Sequence, residues 1–145
     1  MRPSFPIYLL SFWVQFLTVL AQRANIGFPH DGANVTKGSN FTVEVARPNT
    51  LSSSKEIAIV LALQSCPSSP CSAPEDFLGR LLYEGPFNPQ FSDPADRLPP
   101  HQNFSVQVPD NMQAGRAQLA LVHFSLIGAG PMPFMETYTV LVNVL

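Results

Sequence analysis

The chain has 145 residues, of which 46% are hydrophobic and only 12% charged, with a formal net charge of −2. That balance excludes a polyanion-binding protein or one drawn to an anionic membrane surface, since both need a basic excess. It also excludes a disordered chain, because so large an apolar fraction is ample for the core of one domain.

At the amino terminus Arg2 precedes a mostly apolar run, Ile7 to Leu20, and Val19-Leu20-Ala21 puts small residues at a cleavage-like spacing. The run is interrupted by Ser11, Gln15 and Thr18 and falls short of the ~20 apolar residues that span a bilayer. Residues 1–21 therefore read as a secretory signal peptide, and 22–145 as a single domain. Without Arg2 the remainder carries seven Lys and Arg against ten Asp and Glu, a net charge of −3.

Gln22 to Phe28 fits a first strand closed by Pro29, and His30-Asp31-Gly32 a turn. Asn40 to Val45 alternates, with Phe41, Val43 and Val45 directed inward and Asn40, Thr42 and Glu44 outward. After a polar connection, Lys55 to Cys71 opens with an apolar run bounded by Ser and Pro, the signature of a strand buried on both faces. Its period of two puts Ile57, Ile59, Leu61 and Leu63 on one face. Ala58, Val60 and Ala62 fall on the other, small enough for another segment to pack close.

That strand runs into Cys66 and Cys71, the chain's two cysteines. In an exported protein they predict a structural disulfide, worth roughly 2 kcal/mol for so short a loop. Phe77 to Tyr83 is a further strand or a single helical turn. Glu84 to Gln102 contains five prolines in nineteen residues, too many for ladder hydrogen bonds, and reads as a loop or crossover. Asn103 to Val108 alternates with Phe104, Val106 and Val108 inward. Arg116 to Ile127 gives the longest strand signal, Gly128 to Pro131 a turn, and Tyr138 to Val144 a last strand. About seven strands and no helix predict an all-β, antiparallel two-sheet sandwich of the immunoglobulin-like type, with a jelly roll or small barrel as the alternative.

Three sequons, at Asn34, Asn40 and Asn103, are glycan acceptors in an exported chain. Asn40 and Asn103 each precede an inward Phe and so face water. Motifs for enzymatic chemistry are missing: no Gly-x-Ser-x-Gly elbow, His-Glu-x-x-His pair or phosphate-binding glycine loop occurs. His30, His101 and His123 fall in a turn, a loop and a strand with no metal-ligand spacing, and a half-buried structural role suits His123. Glu75-Asp76 and Asp93 with Asp96 read as solvated turn residues. The expectation is a non-enzymatic protein with no cofactor and no metal. Phe87 and Phe91, with Pro86 and Pro89, form a stiff, partly apolar loop suited to docking a partner; alternatively both rings fold back to cap the sandwich.

Gly38-Ser39-Asn40-Phe41-Thr42-Val43, Leu78-Gly79 leading to Gly85-Pro86-Phe87, Asn103 through Pro109 and Gly115-Arg116-Ala117-Gln118-Leu119 follow in order. Ending in a Gly-rich turn and an alternating strand, this series resembles the necrosis-inducing secreted protein family of filamentous fungi across most of the domain. The resemblance implies a secreted effector that induces plant cell death and suppresses pattern-triggered immunity. It further implies binding to host receptor-associated kinases, both co-receptor and cytoplasmic receptor-like types, and hence entry into the host cytoplasm after export. An extracellular module that binds the fungal wall or surface is the alternative reading.

Overall fold

The computed structural model describes residues 23–49, 53–68 and 70–145, so the expected signal peptide and Gln22 lie outside the described residues. Eight strands form two sheets. The small sheet has the order β1-β3-β6, with β1 Asn25–Phe28, β3 Asn40–Ala46 and β6 His101–Gln107. The large sheet has the order β2-β8-β7-β4-β5, with β2 Ala33–Val35, β4 Ser54–Ser65, β5 Arg80–Pro86, β7 Gly115–Ile127 and β8 Met132–Val144. This is the expected sandwich with one strand more, and two separate sheets leave no closed barrel. The added strand, β2, pairs parallel with the end of β8, through Val35 and Val144, so the large sheet is mixed.

Alternation builds the core as the sequence predicts. Val43 and Val45 of β3 and Phe104 and Val106 of β6 meet Ile59, Leu61, Leu63, Leu119, Leu121, Val140 and Val142 of the large sheet. Burying each such side chain contributes roughly 1.5–3 kcal/mol. Asn34, Asn40 and Asn103 are exposed, and Asn40 and Asn103 share the outward face of the small sheet. The Cys66–Cys71 bridge is closed, with Cα atoms 5.2 Å apart.

The segment behind that bridge explains the small residues of β4. Ala62 and Ala120 face each other on the outward side of the large sheet, yet both are buried. Gln118 Nε2 donates to the Ser72 carbonyl at 3.1 Å and the Thr137 hydroxyl donates to Glu75, which lays residues 72–75 across that face.

Several boundaries differ from expectation. β5 starts at Arg80, not Phe77, because Phe77 belongs to the disulfide-clipped segment and its amide closes a turn on Ala73. β6 begins at His101, two residues inside the Pro-rich stretch. β8 begins at Met132 rather than Tyr138, and from Met132 to Leu141 its outer edge has no partner strand among the described residues.

Candidate functional site

β4 bulges at Ile57. Glu56 pairs with Ser125 and Ala58 with Phe124, so two steps along β4 match one along β7. Simple alternation would put Glu56 on the outward face with Ala58. The extra residue turns it inward, and Ile57 leaves the core row in which the sequence placed it. Directly across β8 from His123 stands Glu136, also inward.

The result is a charged cluster inside the sandwich, where β4, β7 and β8 outrun the small sheet. His123 is 0% exposed, a correction to its expected half-burial. Its Nδ1 lies 2.9 Å from Glu136 Oε1, and its Nε2 makes a short hydrogen bond to Glu56 Oε2. Between two carboxylate oxygens the protonated ring can donate from both nitrogens at once. Arg47 Nε donates to Glu56 Oε1 at 3.1 Å, and the Ser54 hydroxyl donates to the same oxygen at 2.8 Å. Glu136 Oε1 also accepts the Ala24 amide at 2.9 Å, and Arg23 Nε sits 3.6 Å from its other oxygen. From Arg47 to Arg23 the charges alternate in sign. The cluster ties the segment entering β1, the end of β3, β4, β7 and β8 to one point.

Burial pushes the His123 imidazole down, but hydrogen bonds and charge from Glu136 and Glu56 reverse this and hold it above 6.5. Burial likewise pushes the Glu56 carboxyl up. The hydrogen bonds from His123 and Ser54, with the charges of His123 and Arg47, outweigh that and hold it at about 2 against an ordinary 4.5. A raised histidine stabilises the fold below pH 6.5, and that contribution disappears as the pH climbs through the folded value. A depressed carboxylate stabilises above 4.5, and that contribution is lost as the pH falls towards 2. Melting temperature is therefore expected to plateau between about pH 4.5 and 6.5 and to fall on both sides. Calorimetric scans against pH check this; a melting temperature still rising well above pH 7 would contradict it.

The other expected site residues are scattered. Phe87 is 3% exposed, which corrects its reading as a surface contact. β5 ends at Pro86, and the crossover carries the Phe87 ring inward, edge-on to His123 at 5.6 Å. Of the two alternatives for these rings, folding back holds for Phe87 and outward exposure for Phe91, at 63%. Pro86 is exposed and Pro89 half-buried. Gln90 and His101 exchange two backbone hydrogen bonds, of 3.0 and 2.9 Å, that close residues 91–100 into a compact loop. Inside it Asp96 accepts the Ser92 hydroxyl at 2.5 Å and the Leu98 amide at 3.0 Å. Arg97 holds a φ of 69°, a left-handed backbone that a non-glycine residue adopts only when its surroundings impose it.

The three histidines do not converge. His30 meets Phe28 edge-on, His101 bonds to the Pro99 carbonyl, and His123 is walled in. Among the described residues no three His, Cys, Asp or Glu side chains are arranged to hold a metal ion. At His123 the two carboxylates occupy opposite edges of the ring and share no common point. Sequence reasoning missed Glu56, Glu136 and Arg47 as partners of His123. The only available signal was a charge within a strand of a chain that has few charges.

Fold and cluster together define a small disulfide-clipped β-sandwich with a buried alternating-charge core. A cellulose-active polysaccharide monooxygenase from M. thermophila shares this fold, with a TM-score of 0.51 at 16% identity over 79% of this chain and 54% of that one. The chain thus spans about half the length of that enzyme, and the likeness is one of fold alone. A search of curated proteins finds no match to the sequence. The Nis1 family profile matches residues 19–143, and the chain belongs to this family of necrosis-inducing secreted proteins.

Proposed function

We propose that the chain is a non-enzymatic secreted effector that docks on receptor-associated kinases of a host plant, blocks their activity and so suppresses pattern-triggered immunity. Family membership supports the effector class, and the resemblance drawn from the sequence supports the kinase target. Because kinase domains lie in the host cytoplasm, entry into the host cell follows export. The observation that carries the docking mode is the closed loop 91–100. Phe91 and Leu98 are exposed on it, beside a dimple of about 270 Å³, and its side-chain and backbone hydrogen bonds fix its shape. An apolar anchor held in a rigid loop loses little conformational freedom on binding.

In co-precipitation with plant receptor-associated kinases, Phe91→Ala combined with Leu98→Ala is expected to weaken capture by roughly tenfold or more, the loss typical of an anchor residue. Thermal stability should stay within about 0.5 kcal/mol of the parent, because both side chains project into water. Undiminished capture would exclude the loop as the contact. Failure of the parent chain to bind any such kinase, with no effect on an elicitor-triggered oxidative burst, would exclude the function.

A further inference from the structure

A cleft of about 550 Å³ opens at the end of the sandwich opposite the charged cluster. It forms where β6 stops at Gln107 and the chain crosses to β7, leaving the Leu63 end of β4 and the Arg80 end of β5 with no strand above them. Leu63 and Met112, both buried, make an apolar floor. Arg80 pairs with Leu63 in the ladder and so projects over that floor rather than away from the sheet. Asn111 and Gln113, both exposed on the crossing segment, also line the cleft. Phe77, 58% exposed, stands at the rim.

The wall that carries Phe77 and Arg80 is fixed in place. Gly79 has a φ of +84°, and a Cβ there would lie 2.5 Å from the Leu63 carbonyl oxygen and 2.7 Å from Gln64 Cα. Only glycine lets this segment lie flat on β4. The Cys66–Cys71 bridge clips the same segment where it leaves β4. Sites that bind small ligands share this pre-formed character and a volume of ~300–1,000 Å³.

The lining selects a ligand by charge and by hydrogen bonding. No carboxylate lines the cleft, which disfavours a cationic ligand, and Arg80 has no acidic partner among the described residues. One guanidinium in a domain of net charge −3 suits carboxylates spaced one to a sugar ring, of which it holds one, and not the clustered charge of a polyphosphate. Carboxamides offer a donor and an acceptor side by side, which matches neighbouring hydroxyls. A peptide would instead pair along the outer edge of β5, the last strand of the large sheet, rather than fill the cleft. The exposed Phe77 ring presents a flat apolar face to the C–H side of a sugar ring.

We propose that this cleft binds an acidic saccharide, with Arg80 holding the carboxylate, Asn111 and Gln113 the hydroxyls, and Phe77 the apolar ring face. The site is separate from the loop 91–100, and its test measures sugar binding alone, so either reading can fail without the other.

The test is calorimetric titration, with amide-shift mapping, of the protein purified from culture medium. The probes are trigalacturonate, neutral cellotriose and a glutamate-rich peptide. Saturable binding of trigalacturonate is expected, with shifts confined to residues 77–80 and 111–113. Cellotriose, the peptide, Arg80→Gln and Phe77→Ala should each weaken binding by roughly tenfold or more, the loss of one charge-assisted bond or one stacking face. Both side chains are exposed, so the variants should melt with the parent, which separates lost binding from lost fold. Absence of saturable binding, equal affinity for cellotriose, or full affinity in Arg80→Gln would overturn the proposal. Equal or tighter binding of the peptide would overturn it too, giving the cleft to a protein partner.

Discussion

Replacing His123 with leucine is expected to destabilise the protein by about 3–5 kcal/mol, the usual cost of leaving buried charges without their partner. The ring is wholly buried and, protonated, is the cation between Glu56 and Glu136. Without it, Arg47 still reaches Glu56 and the Ala24 amide still reaches Glu136, but each carboxylate keeps an inward oxygen facing an apolar side chain. Urea unfolding should show the midpoint falling by about 2 M, given slopes of ~1–3 kcal/mol per molar. The double variant with leucine at 123 and 136 should recover part of the loss, because it removes the more deeply buried carboxylate while Glu56 keeps Arg47 as its partner. A single variant as stable as the parent would mean that the cluster contributes nothing to the fold. A double variant worse than the single would mean that shape, not charge, sets the cost.

Phe87→Ala comes second, with an expected loss of about 3–5 kcal/mol from the removed ring and the cavity it leaves. The contrast with Phe91 is the sharp part of the expectation. Four residues apart in one Pro-rich segment, the two rings have opposite fates: one is packed against Phe104 and His123, the other projects into solvent. Parallel thermal scans of the two alanine variants should separate by roughly 10–25 °C, at roughly 3–5 °C per kcal/mol for a domain between the small and mid-sized classes. Phe87 also shields the imidazole, so its loss should bring water to His123 and steepen the alkaline fall in stability. If both variants melt alike, the assignment of Phe87 to the core is wrong.

What could be read from the sequence follows from where alternation is unambiguous. β3 and β6 each bury one face only, so Val43, Val45, Phe104 and Val106 declared themselves, as did the outward Asn40 and Asn103. β4 is apolar on both faces, and a one-residue bulge inside such a run leaves no mark in its pattern. The inward turn of Glu56 was therefore invisible, and with it the cluster around His123. The first half of β8 reverses the usual rule: Met132 and Met135 face water while Glu136 is buried, so a regular alternation shows only from Tyr138 on. β2 is three residues long and held largely by its register with β8, too little to outweigh the turn chemistry around it. Phe87 was misjudged because prolines mark an irregular backbone without saying which way a ring on that backbone turns.

Among the described residues no strand covers the outer edge of β8 over most of its length, an invitation for another chain to extend the sheet. The sequence there answers in two ways. Pro133 has no amide hydrogen to offer a newcomer. Glu136, facing the interior rather than the edge, is held in place by His123, so a strand arriving out of register would have to uncover a paired charge. The same carboxylate that helps hold the two sheets together thus also works against an added strand.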